Sequence, residues 1–140
     1  MEKIVGIQRV VPFISNDETE RVKEYISQKE ISILREEVGM IMSSVGDSFG
    51  NPFFLGEILV CEAEVDYKRQ RGYGMVIGNN KALAVMMAAV DSALKSSDDS
   101  FIQEIEKILL PSMERMKKSF DTEKRFVNGT KVNFGLMVEG

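Results

Sequence analysis

The chain has 140 residues, 44% of them apolar and 29% charged, and a formal net charge of −4. That suits one globular domain and excludes an extended disordered segment or a basic stripe for nucleic acid. With no histidine and one cysteine, Cys61, it has no Ser-His-Asp triad, Cys-His pair, His-ligated metal, Cys-rich zinc site, self-contained iron–sulfur cluster or internal disulfide.

Residues 2–10 read as a short helix with Ile4, Ile7 and Val10 on one side, interrupted by Pro12. Asn16 or Asp17 is expected to cap a second helix to about Gln28, striped by Val22, Tyr25 and Ile26. Ile31–Leu34 and Val38–Val45 read as two strands, followed by a Gly/Pro-rich loop from Gly46. Glu57–Tyr67 alternates cleanly: Leu59, Cys61, Ala63, Val65 and Tyr67 share one face, Glu62, Glu64 and Asp66 the other. Cys61 therefore reads as a buried apolar residue, and the three acids as a solvated face.

Gly72–Ile77 is expected to pair with that strand through a solvated turn at Lys68–Arg71. Asn79 or Asn80 caps a helix to about Leu94 that is apolar nearly all round, so it needs cover on more than one side. Leu83, Met86, Met87 and Val90 are its candidate interface residues. Ser100 and Gln103 fit a capping box for the next helix, which carries Phe101, Ile102, Ile105, Ile108 and Leu109 inward. Pro111 predicts a kink or restart, after which Met113, Met116 and Phe120 continue the stripe. Asn128-Gly129 reads as a turn. The tail from Lys131 is apolar enough to need cover, with Phe134 and Met137 as further interface candidates.

The fold class predicted is α+β over a single domain, residues 1–140. An antiparallel sheet of about four strands is covered on one face by helices, as a two-layer sandwich. No phosphate-cradling glycine motif is present, no apolar run is long enough for a membrane span, and the N-terminus lacks a signal-peptide pattern. The expectations are a cytoplasmic chain, no metal site, no nucleic acid and no membrane partner. No residue is assigned as catalytic. The candidates for binding a substrate are Gly50, Asn51, Gly56 and Glu57, whose loop would form the mouth of a pocket with Glu57 as acid or base. On that alternative the chain is an autonomous small-molecule-binding or carboxylate-based enzyme domain. The plainer reading of the same glycines is a tight loop.

Several segments, in order, resemble one family. Arg35-Glu36-Glu37-Val38-Gly39-Met40-Ile41-Met42 is similar to its R-x-x-E-T-G-L-V-M, and Pro52-Phe53-Phe54-Leu55-Gly56-Glu57 to its P-F-N-L-G-E. Gly74-Met75-Val76-Ile77-Gly78 is similar to G-x-x-L-G, Asp91-Ser92-Ala93-Leu94 to a helix ending D-A-L, and Lys131–Gly140 to a terminal x-V-D-F-F-x-M-V-R-G. The family is that of the G subunits of the phosphonate carbon–phosphorus lyase system, and this chain resembles a divergent member. Where the family has Arg, Asp, His and Glu, it carries Asn79, Asn80, Leu83 and Val85, and Glu139 replaces an Arg.

The resemblance implies a subunit of the lyase core complex beside the H, I and J subunits, with the I subunit as direct partner, and a homo-oligomer. It implies support for attack of a phosphonate on ribose C1 of ATP, releasing adenine and giving a ribose 1-phosphonate 5-triphosphate. ATP would be the substrate of the complex, and this chain would bind no cofactor alone.

Overall fold

The computed structural model describes residues 2–46, 50 and 52–122. Helix α1 (Glu2–Val10) runs into a 3-10 turn (Val11–Phe13) at Pro12, followed by α2 (Asn16–Ser27). Strands β1 (Ile31–Gly46), β2 (Pro52–Tyr67) and β3 (Gln70–Ile77) form an antiparallel meander in the order β1-β2-β3. Helix α3 (Lys81–Lys95) and α4 (Asp99–Ile108) follow, and after a turn at Leu109 the chain is helical again over residues 110–122 (α5). The break beside Pro111 is the expected restart.

The class is α+β, but the sheet of the described residues has three strands rather than four. The two strands expected at 31–34 and 38–45 are one. Arg35, Glu36 and Glu37 continue the ladder, opposite Glu64, Ala63 and Glu62 of β2. Their polarity hides the continuity, yet Arg35 satisfies its neighbours by pairing with Glu37, Glu62 and Glu64 at 3.1, 3.3 and 3.6 Å. A register shift between Ile33 and Arg35 absorbs the irregularity. The expected loop also shrinks, because β2 begins at Pro52 and its pairing with β1 reaches Gly46.

Lys68 and Arg69 link β2 to β3 with positive φ at both positions, the two-residue turn whose twist suits a tight hairpin. Ser92 secures the turn, its hydroxyl donating to the Tyr67 and Gln70 carbonyls.

Alternation on β2 sets the layers. Cys61, Ala63, Val65 and Tyr67 lie buried against α3, and Val76 joins them from β3. Helix α3 sits directly on the β3 backbone. A Cβ on Gly72 would fall 2.0 Å from the Ala88 carbonyl oxygen, and one on Gly74 2.5 Å from that of Ala84. Glycines on the strand and alanines on the helix are what permit this approach. Helices α1, α2 and α4 pack around the rest of α3. Its all-round apolar surface is therefore covered within the chain, and Leu83, Met86, Met87 and Val90 are at most 3% exposed.

Two caps differ from those expected. Ser15, not Asn16 or Asp17, caps α2, in a reciprocal capping box with Glu18. Asp98, not Ser100, caps α4. Asn80 caps α3, accepting from the Leu83 N–H at 3.2 Å.

Candidate functional site

Of the candidates on the 46–57 segment, Gly50, Gly56 and Glu57 are among the described residues, and none of the three lines the groove described below. Gly50 and Gly56 have φ of +83° and +141°, which explains why glycine stands there, and a Cβ at either would meet open space. Glu57 is exposed, opposite Met42 in the ladder. Asn51 lies outside the described residues, as do Phe134, Met137 and Glu139.

A groove of about 750 Å³ lies elsewhere, between α2, the start of β1 and the N-terminus of α3. Ile26, Ile31, Ile33 and Val85 give it apolar walls, and Lys23, Lys29 and Lys81 stand on its rim with Glu20 and Glu36. Two of those lysines are engaged. Lys23 pairs with Glu20 at 3.6 Å, and Lys29 lies over the Tyr25 ring at 5.0 Å from its centroid. The corner formed by Asn79, Asn80 and Val85 holds three of the positions at which the sequence departs from the pattern it resembles. There Asn80 caps a helix, Asn79 accepts a weak contact from the Cys61 thiol at 3.9 Å, and Leu83 is core. The replacements thus turn polar groups toward local structural bonding and packing. Cys61 itself is fully buried.

The most perturbed acids lie at joints between elements. Burial pushes the Glu18 carboxyl up, but hydrogen bonds from Arg115, Ser112 and the Ser15 N–H outweigh it and hold the pKa down at about 2. Arg115 reaches Glu18 at 2.5 Å and also donates to the Phe13 carbonyl, so α5 is tied to the head of α2. Asp98 follows the same logic. Burial opposes ionisation, while Lys68, Tyr67, Ser100 and the Phe101 N–H bring its pKa down to about 2. Its bond from the Tyr67 hydroxyl is 2.8 Å and its ion pair with Lys68 is 3.0 Å. Burial and this carboxylate together push the Tyr67 hydroxyl up. Perturbed groups can mark catalytic sites, but these two carboxylates spend their hydrogen bonds on caps and helix joints.

Glu62 and Glu64 share Arg35 on the outer face of the sheet, while Asp66 is exposed, so the acid alternation is a solvated face that carries an ion-pair network at two of its three positions. Among the described residues, no group of three or more His, Cys, Asp or Glu side chains is arranged to hold a metal ion. No helix among them is long and apolar enough to cross a membrane.

Sequence reasoning missed the bonding roles of Asp91 and Lys95. Asp91 Oδ2 accepts from the Tyr73 N–H at 3.0 Å and pairs with Lys95, which donates to the Arg71 carbonyl. The D-A-L resemblance marked this segment without giving its purpose. These side chains occupy main-chain groups at the sheet edge.

The class defined by this arrangement is a small two-layer α+β domain, with no catalytic constellation gathered among its described residues. Over residues 8–140 the chain matches the family model described as phosphonate metabolism protein PhnG. It belongs to that family, which gives it a role in phosphonate metabolism. Among curated proteins no relative matches the chain.

Proposed function

We propose that this chain is the G subunit of a carbon–phosphorus lyase assembly and acts there as a supporting partner of the I subunit. The H and J subunits complete the assembly. The reaction supported is attack of a phosphonate oxygen on ribose C1 of ATP. A C–O bond forms, the C–N bond to adenine breaks, and adenine leaves with a proton. The reacting groups come from the partner, ATP is the substrate of the assembly, and this chain contributes no cofactor. It works in the cytoplasm.

The observation that carries this reading is the family match across residues 8–140. The chain's own chemistry agrees with a supporting role, since it has no imidazole and its single thiol is buried. The test is reconstitution with ATP and methylphosphonate, measuring adenine release. The chain alone is expected to release none, and adding it to the I subunit should raise the rate. Turnover by the isolated chain would favour an autonomous enzyme using the 46–57 segment. No effect on the I subunit would defeat the partner role.

A further inference from the structure

The helices cover only part of the sheet face they pack on. Cross-strand partners share a face, so Val38, Met40 and Met42 of β1, opposite Cys61, Leu59 and Glu57, lie on the same side as the core. Cys61 is buried there, but Val38, Met40 and Met42 are 43%, 63% and 59% exposed. Ile31, Ile33 and Glu36, opposite Tyr67, Val65 and Ala63, carry that face into the groove between α2 and α3. The result is one strip along β1, apolar except at Glu36. From Ile33 to Met42 it runs about 25 Å at the usual rise of a strand. A continuous exposed apolar strip marks a surface that something covers.

The two ends of the strip differ in charge. At the groove, Lys23 and Lys29 are engaged by Glu20 and the Tyr25 ring, while Lys81 has no ion pair among the described residues. At the far end Glu57, exposed opposite Met42, has none among them either. Residues 131–140 complement this strip in period, length and charge. Val132, Phe134, Leu136 and Val138 stand at every second position, the pattern of an extended segment with one apolar face. From Lys131 to Glu139 an extended chain covers about 25 Å, the length of the strip. Residues 123–130, which join this segment to α5, reach up to about 30 Å, the diameter of a small domain. Arg115 anchors α5 to Phe13 and Glu18 at the head of α2, the helix whose later turns wall the groove.

We propose that residues 131–140 dock face-on along this strip of their own chain, running opposite to β1, with Lys131 beside Glu57 and Glu139 beside Lys81. Val132, Phe134 and Leu136 then cover Met42, Met40 and Val38 at matched spacing, and Val138 enters the groove near Ile33 and Val85. The reverse orientation sets Glu139 against Glu57 and Lys131 against Lys81, like charge on like. The main chain of the docked segment stays at the surface, where water satisfies its polar groups. Its odd-numbered side chains, Met137 among them, face away and remain open to a partner. The inference rests on the sheet face and the sequence of residues 131–140, and stands apart from the catalytic assembly proposed above.

The test uses the full chain alone. In Met42→Cys with Val132→Cys, a short bismaleimide should join the two positions within one monomer, read by mass spectrometry. Met42→Cys with Val138→Cys, and Tyr73→Cys with Val132→Cys on the outer face, should not be joined. Cys61 is fully buried and out of the reagent's reach. In the unsubstituted chain, oxidation of Met40 and Met42 by hydrogen peroxide should be slow. Phe134→Asp with Leu136→Asp should speed it about tenfold while the far-ultraviolet circular dichroism is unchanged. Cross-links formed only between two chains would assign the strip to a second copy and overturn the proposal. Linkage through position 73 or 138 instead, or methionine oxidation indifferent to the substitutions at 134 and 136, would overturn it as well. None of these measurements involves ATP or a partner, so failure of adenine release would leave the proposal standing.

Discussion

Glu18 serves two ends of the chain at once. It completes the capping box of α2, and its carboxylate receives Ser112 and Arg115 from α5. Glu18→Ala is expected to destabilise the fold by about 2–3 kcal/mol, measured by urea unfolding. Arg115 is 44% exposed and can recover water, which keeps the cost below that of stranding a fully buried charge. Glu18 and Asp98 also set a pH dependence. Both folded-state values lie near 2, below ordinary values of 4.5 and 3.8. The unfolded chain therefore binds protons first as pH falls. The stability from these groups is fully present above about pH 4.5 and is lost progressively toward pH 2. The melting temperature should fall across that window, and the double variant Glu18→Gln, Asp98→Asn should flatten the fall.

At the scale of elements, the contact of α3 with β3 depends on absent side chains. Gly74→Ala would drive a methyl group into the Ala84 carbonyl and the Ala88 amide, at 2.5 and 2.4 Å. Backbone cannot swing aside as a side-chain tip can, so a loss of about 2 kcal/mol or more is expected in urea unfolding. Gly6→Ala is the contrast. It lies inside α1 with nothing within 4 Å of an added Cβ, and should gain about 0.5–1 kcal/mol.

These elements differ in how far the sequence revealed them. The period of two in 57–67 and the apolar run of 81–94 announced β2 and α3, because each pattern is local and faces one core. The continuity of β1 was hidden, since Arg35–Glu37 break the apolar pattern and are satisfied by β2 residues far along the chain. The Ser15-x-x-Glu18 box stands in the sequence beside Asn16 and Asp17, residue types that cap helices equally well, so type alone does not single it out. The bond between Glu18 and α5 joins residues 94 apart in the chain and has no periodic signature. The site was less legible still. Glycines at 50 and 56 fit a ligand loop and a tight turn alike, because both need the positive φ that these two residues adopt.

In the whole molecule, α3 is the hub: the sheet lies on one side and α1, α2 and α4 pack round it. Asp91 and Lys95, on the last turns of this hub, also guard β3. Asp91→Ala should leave the Tyr73 N–H without its acceptor and speed its hydrogen exchange, while amides inside the β2–β3 ladder keep their protection. Equal acceleration throughout the sheet would instead indicate general loosening.

The guarded margin of β3 has a consequence for growth. A sheet with two sticky margins can take on neighbours without limit, as fibrils do. Here Asp91, Lys95 and Gln8 spend hydrogen bonds on one margin, so a strand adding there would first have to displace them.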